Sequence, residues 1–144
     1  MAVVSGMGPR FPGLPSLLRG LALCAAVVLA ASCGGVGPSD NVNQDFSGRL
    51  ESGTSAVHQF SVGENGEMTV TVTALSNPNI LLILYVGQIV GSNCAPIAGY
   101  VSQAAALNRQ AISNYITRGS YCLEVIHPGT FAEGVDYTVR VSHP

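Results

Sequence analysis

Apolar and polar residues alternate with a period of two over much of the chain. In "MTVTVTA", residues 68–74, the apolar side chains fall on one side and the threonines on the other. "VDYTVRV", residues 135–141, alternates in the same way, and "HQFSV" places His58 on the face of Phe60. This period is typical of β-strands that bury one face.

Three further segments have strand patterns. Residues 45–52 are suited to a first strand, and "SYCLEVI", residues 120–126, lies between Gly119 and a Pro-Gly pair. "ILLILYV", residues 80–86, is apolar on both faces, which predicts a strand covered on both sides in the middle of the fold. About seven to eight short strands separated by turn residues predict an all-β fold, an antiparallel β-sandwich.

Two connections are less regular. Asn65-Gly66, within "GENGE", predicts a tight hairpin between the flanking strands because such turns favour positive φ. Residues 100–116 carry two signals. "SQAAALNRQ" is rich in alanine and has helical propensity, whereas "AISNYI" alternates.

The first part of the chain has the pattern of an export signal. Arg10 and Arg19 precede the apolar run of residues 21–31, and the small residues Ala30-Ala31-Ser32 stand directly before Cys33. A positive region, an apolar region and small residues define a secretory signal peptide. An uncleaved membrane helix is the alternative, but residues 20–33 are shorter than the roughly 20 that a span requires.

"LAASC", which ends at Cys33, resembles the lipobox of bacterial lipoproteins, in which the cysteine is lipid-modified before the signal is cut. The resemblance implies acyl chains on Cys33, and two or more chains give stable membrane anchoring. We therefore predict a signal peptide over 1–32, a lipidated cysteine and flexible tether over 33–44, and a sandwich over 45–144. Secretion with an incidental cysteine is the alternative.

Charge and composition exclude one class of partner. All six basic residues are arginines, and all eight acidic residues follow Cys33, so residues 33–144 carry a net charge of −4. Nucleic-acid binding requires clustered basic side chains, and none is evident. We expect no nucleic-acid partner.

Two cysteines remain in the predicted mature chain besides Cys33. In an oxidising compartment, Cys94 and Cys122 are expected to form a disulfide that stabilises the domain by roughly 3–4 kcal/mol. Two free thiols or a metal pair are the alternatives, although neither cysteine has a His or Asp at ligand spacing. Cys94 lies in a Gly/Asn/Pro-rich segment, so the bond would tie a loop to the sandwich.

Several motifs resemble those of the bacterial pre-peptidase C-terminal domains. These are "FSGRLESGTSAVHQFSVGENGEMTVTVTAL", the "ILLILYVG" strand, and "RGSYCLEVIHPG" followed by "VDYTVRVSHP". The resemblance covers residues 45–144 and implies a jelly-roll-like sandwich that serves as a non-catalytic accessory module. Some relatives bind matrix polymers, and some bind calcium through acidic loops. In "SNPNI", residues 76–80, asparagines stand where calcium favours Asp, so we expect no metal.

No motif with a catalytic mechanism is present, and His58, His127 and His143 are the only histidines. His58 is predicted to pack in a strand, and His127 to open a turn. We therefore expect no enzyme and no cofactor.

The predicted function is an exported, lipid-anchored module that faces the periplasm or cell surface and binds an envelope protein or polymer, or has a structural role. The alternatives are a secreted domain that binds polysaccharide, peptidoglycan or matrix protein, and a small hydrolase.

Overall fold

The computed structural model describes residues 41–144, which form eight β-strands. Cys33, the predicted signal peptide and residues 34–40 of the predicted tether lie outside the described residues. The strands are β1 (Val42–Leu50), β2 (Ser55–Val62), β3 (Gly66–Leu75), β4 (Leu82–Val90), β5 (Asn93–Ala105), β6 (Gln110–Ile116), β7 (Gly119–Ile126) and β8 (Val135–His143). Within this part of the chain, no helix is long and apolar enough to cross a membrane.

The strands form two four-stranded antiparallel sheets with a jelly-roll order. The first sheet has the order β1-β8-β3-β6, and the second has the order β2-β7-β4-β5. Consecutive strands mostly alternate between the sheets, which is how a jelly roll places two Greek keys face to face. The predicted all-β, jelly-roll-like sandwich is therefore confirmed.

The core lies between the sheets and is built from the alternating positions that the sequence pattern indicated. In β3, Met68, Val70 and Val72 are fully buried, and Val139 and Val141 of β8 lie beside them. The second sheet contributes the inward-facing residues of its two central strands, Leu82, Leu84, Val86, Leu123 and Val125. Burial of one face from each sheet explains the period of two.

The hairpin predicted at Asn65-Gly66 is wrong. β2 pairs with β7, whereas β3 pairs with β6 and β8, so the turn carries the chain from one sheet to the other. Neither residue has a positive φ. The Asn65 Oδ1 instead accepts a hydrogen bond of 2.7 Å from the Arg118 backbone N–H, which fastens this turn to the neighbouring β6–β7 turn.

One predicted boundary differs, and one ambiguous segment is resolved. β1 begins at Val42, so residues 42–44 pair with β8 rather than belong to the tether. The alanine-rich part of 100–116 is not helical: β5 extends to Ala105, and β6 begins at Gln110. Sheet pairing overrides the weak helical propensity, and Asn108, at a φ of 57°, makes the turn between the two strands.

All strands run between the same two ends of the sandwich. The odd-numbered strands begin, and the even-numbered strands finish, at the end that contains Val42, which we call the Val42 end. The opposite end contains the loops 51–54, 76–81, 106–109 and 127–134, and we call it the Leu50 end. A nine-residue strand spans about 30 Å, which sets the distance between the ends.

Candidate functional site

His58 forms a polar contact between the two sheets. Its Nε2 lies 2.7 Å from the hydroxyl of Tyr137, and its ring stacks on Phe46 with centroids 5.0 Å apart. Burial lowers the pKa of His58 and raises that of Tyr137. Both groups are therefore held in their neutral forms at neutral pH, and His58 packs on the Phe60 face as the alternation predicted.

His127 stands at the start of the β7–β8 loop, as predicted, and is fully buried there. The Gly129 N–H donates to Nδ1 over 3.0 Å, and Nε2 lies 3.2 Å from the Glu133 carbonyl oxygen. Because Nδ1 accepts a hydrogen bond, the proton of the neutral ring is on Nε2, which donates to Glu133. Both ring nitrogens of His127 therefore form hydrogen bonds within the loop.

His143 is buried near the end of β8. Its Nδ1 lies 3.1 Å from the Pro144 carbonyl oxygen, and its ring packs 5.5 Å from that of Phe60. Its Nε2 has no protein partner, and the same is true of the buried Oε1 of Gln44. The three histidines are therefore held by internal contacts. Within residues 41–144, no group of three His, Cys, Asp or Glu side chains lies close enough to hold a metal ion.

The outer face of the second sheet carries one continuous row of side chains across all four strands. The register places Val57 beside Glu124, Glu124 beside Tyr85, and Tyr85 beside Val101. Both valines are exposed, although the row lies in the middle of the sheet. We call these four residues the outer row.

A hydrogen bond at the centre of the outer row joins two strands. The Tyr85 hydroxyl donates to the Glu124 carboxylate and lies 3.4 Å from the Cys94 carbonyl oxygen. Burial, and then the Glu124 carboxylate, raise the pKa of Tyr85 to about 12. The tyrosine hydroxyl is thus a neutral hydrogen-bond donor, and Tyr85 stands between Glu124 and Val101 in the row.

The disulfide bounds this face on one side. Cys94 and Cys122 lie at bonding distance, 2.07 Å between sulfurs, and their Cα atoms are 5.8 Å apart. Cys94 belongs to β5 and not to a loop, so the bond joins strands on either side of β4. The bridge passes close to Gly87, where a Cβ atom would lie only 2.1 Å from the Ala95 carbonyl oxygen. The end of the β4–β5 hairpin is therefore held close against the sheet.

A shallow cavity of about 370 Å³ lies at the Val42 end of the same sheet. It is lined by Ser61, Val62, Gly63, Arg118, Gly119 and Ser120. Ser61 and Ser120 face each other across β2 and β7. Arg49 and Arg140 pair with carboxylates at 3.1 and 2.7 Å, but in the described part of the chain Arg118 has no such partner. The cavity offers hydroxyls and one cation, but its lining includes no histidine or carboxylate that could activate a hydroxyl as a general base.

No protein-family model matches the chain, and no curated protein matches it. Among solved structures, it is similar to the pre-peptidase C-terminal domain of a collagenase from Bacillus anthracis. The two share 21% identity, the match covers 69% of this chain and 87% of that one, and the TM-score is 0.45. The jelly-roll order follows from the strand pairing of this chain itself.

The sequence located some of these groups but not their neighbours. It predicted the pairing of Cys94 with Cys122, whereas the contact of Tyr85 with Glu124 depends on the register between β4 and β7. The 76–80 loop, where the resemblance would place a calcium site, uses its own oxygens: the Asn77 Oδ1 accepts a hydrogen bond from the Asn79 N–H. The alternation of "ILLILYV" and "SYCLEVI" could have placed Tyr85 and Glu124 on outer faces, but not beside each other.

Proposed function

We propose that the chain is a lipid-anchored, non-catalytic module of the bacterial cell envelope, held by Cys33 and binding an envelope protein or polymer. The observation that carries the proposal is that two cysteines form a disulfide inside the domain, whereas a third lies in a lipobox-like segment before it. Cys94 and Cys122 bond to each other inside the sandwich, and Cys33 ends the lipobox-like "LAASC" nine residues before β1.

The contacts of the histidines support a non-catalytic role. His58 and His127 form hydrogen bonds inside the sandwich and its loop. His143 is buried beside Phe60. A general base must reach the group from which it takes a proton, and none of these rings is presented to an open cavity with a nucleophile.

The outer row is the surface that we propose for ligand binding. Val57 and Val101 expose apolar area at the two ends of the outer row, and an aromatic side chain such as Tyr85 in the middle of a face is typical of interface centres. The Tyr85 hydroxyl is already bonded to Glu124, so this row offers shape and apolar contact more than hydrogen bonds.

The anchor is tested by intact mass spectrometry of protein extracted from bacterial membranes. We expect residues 33–144 plus a diacylglyceryl or triacyl modification, and a gain of two hydrogens on reduction of the disulfide. The Cys33→Ser variant should carry no lipid. A wild-type product that is soluble and unmodified would overturn the anchor and favour a secreted domain.

Binding is tested by retention on insoluble peptidoglycan, polysaccharide and matrix protein, and by cross-linking in envelopes. Val57→Asp and Val101→Asp place charges in the outer row, and Leu81→Asp is the matched control because Leu81 is equally exposed at the Leu50 end. Retention or cross-linking that is lost in the first two variants and kept in the control supports the outer row. Equal behaviour of all three contradicts it.

A further inference from the structure

Exposed apolar side chains are concentrated at the Val42 end of the sandwich. Val42 is 51% exposed, and Val90, at the tip of the β4–β5 hairpin, is 63% exposed. Ile89 precedes Val90 in the same hairpin, and Tyr115 lies near the end of β6, where it is 63% exposed. Four of the eight large apolar side chains that are exposed among the described residues thus lie at this end, and exposed apolar area gathered in one region usually marks a contact surface.

The hairpin that carries Ile89 and Val90 is fixed in place. Cys94, which pairs with Ile89, is bonded to Cys122 of β7, and its carbonyl oxygen lies 3.4 Å from the Tyr85 hydroxyl. Gly91, with a φ of 64°, forms the turn next to Val90. The two apolar side chains are therefore presented by a tied hairpin, so little conformational freedom is lost when they bind.

The position of the proposed anchor determines what this end can reach. Cys33 is nine residues before Val42, so the chain between them spans at most about 30 Å. The sandwich itself is about as long. The Val42 end can therefore contact the bilayer whenever Cys33 is anchored, whereas the Leu50 end reaches it only if the domain tips over.

The charges at the Val42 end argue against electrostatic attraction to an anionic surface. Arg118 is the cation there, and Glu64 and Glu67 lie in or next to the β2–β3 turn. Among the described residues at this end, carboxylates thus outnumber cationic side chains. Any contact with lipid has to come from apolar burial and from tyrosine, which is favoured at membrane–water interfaces.

We propose that the Val42 end is a second membrane contact, in which Ile89 and Val90 enter the bilayer interface while Val42 and Tyr115 lie at its surface. This inference rests on the proposed lipid anchor. The contact fixes the domain upright, with the Leu50 end directed away from the membrane and the outer row exposed along its side.

Single-tryptophan reporters test the proposal, because the natural chain contains no tryptophan. Val90→Trp places the reporter at the hairpin tip, and Phe131→Trp places the control in an exposed apolar position of the Leu50 end. Each lipidated protein is reconstituted into phosphatidylcholine vesicles whose acyl chains carry bromine, a short-range quencher. We expect the fluorescence of Trp at 90 to be quenched at least twofold more than that at 131, equally at low and high salt.

The outcomes separate this proposal from the anchor. Lipidated protein that floats with the vesicles but shows equal, weak quenching at both positions keeps the anchor and overturns the second contact. A blue-shifted reporter at 90 without quenching means that protein covers the tip, a second copy included, which also overturns it. Absence of lipid by mass overturns the anchor, and this inference with it. In a protein with the reporter Ile89→Trp, the further substitution Val90→Asp should lower the quenching of the tryptophan. The lipidated protein should still float with the vesicles.

Discussion

The Nε2 of His58 and the hydroxyl of Tyr137 lie 2.7 Å apart and connect the two sheets through a hydrogen bond. His58 belongs to β2 and Tyr137 to β8, so the contact joins an edge strand of one sheet to an inner strand of the other. The ring of Phe46 packs against His58 and shields the pair. This polar contact lies inside an otherwise apolar interface, and several consequences can be measured.

Removal of the Tyr137 hydroxyl should destabilise the domain. In Tyr137→Phe, the Nε2 of His58 loses its partner in a half-buried place, and we expect the free energy of unfolding to fall by about 1–2 kcal/mol. Urea unfolding measures the change. Tyr115→Phe is the control, because this side chain is exposed, and it should stay within about 0.5 kcal/mol of the wild type. Equal effects of the two substitutions would contradict the role of the contact.

The stability should also depend on pH through His58. Burial lowers the pKa of this imidazole below its usual value of 6.5, so the unfolded chain binds a proton at a higher pH than the folded domain does. The contribution is fully present above about pH 6.5 and is lost as the pH falls below it. His58→Gln should flatten the fall measured by urea unfolding between neutral and mildly acidic pH. A slope that this substitution leaves unchanged would assign the effect to another group.

Gly87 is predicted to tolerate no side chain. A Cβ atom there would meet the Ala95 carbonyl oxygen at 2.1 Å, and the hairpin cannot move away while Cys94 is bonded to Cys122. We expect Gly87→Ala to lower the free energy of unfolding by about 3 kcal/mol, at the upper end for overpacking. Gly63→Ala, where nothing lies within 4 Å, should be nearly neutral. Thermal melting of both variants is the comparison, and similar midpoints would contradict the prediction.

Loss of the disulfide should be costly, because it closes a long loop. Cys94 and Cys122 are 28 residues apart, and the chain-entropy model gives roughly 3–4 kcal/mol for a loop of this length. The Cys94→Ala/Cys122→Ala double variant should therefore melt well below the wild type. Reduction of the wild type should reproduce most of the loss. A double variant as stable as the oxidised wild type would show that strand pairing alone holds the hairpin.

The ionisation of Tyr85 gives a spectroscopic test of the outer row. Its pKa is raised to about 12, first by burial and then by Glu124. Because the folded pKa is above the unfolded one, this tyrosine contributes stability that is present below about pH 10 and lost as the pH rises toward 12. Tyr85→Phe should remove a late step from the ultraviolet titration of the tyrosines, and Glu124→Gln should move that step to lower pH. A late step whose amplitude Tyr85→Phe leaves unchanged would contradict the assignment, and Tyr137→Phe identifies the share of Tyr137, whose pKa burial also raises.

Sequence patterns were sufficient for the faces of the strands and insufficient for their partners. The alternation of residues 68–74 and 135–141 placed the buried side chains of β3 and β8 correctly, because a period of two is a local property. The turn at Asn65-Gly66 was assigned to a hairpin because its composition is also local. Whether the chain returns beside itself or crosses to the other sheet depends on the distant pairing of β2 with β7.

The same limit applies to the functional residues. The Pro-Gly pair correctly indicates that His127 opens a turn, but the burial of this ring depends on the loop folding back to supply two backbone partners, which the local sequence does not indicate. Cys94 was expected in a loop because glycine, asparagine and proline surround it. The register shift between Tyr85 and Gly87 lets β5 contain those residues and remain paired.

The pairing of β1 with β8 joins the first strand of the sandwich to its last. During synthesis, β1 precedes the other strands but has no partner until residues 135–143 have followed. β8 also lies between β1 and β3, so the first sheet cannot be completed from shorter chains. Folding therefore depends on contacts distant in sequence, which makes it slow, on the order of milliseconds to seconds for all-β domains. The first sheet of such a chain cannot be completed until residue 143 is available, a property compatible with the export that we propose.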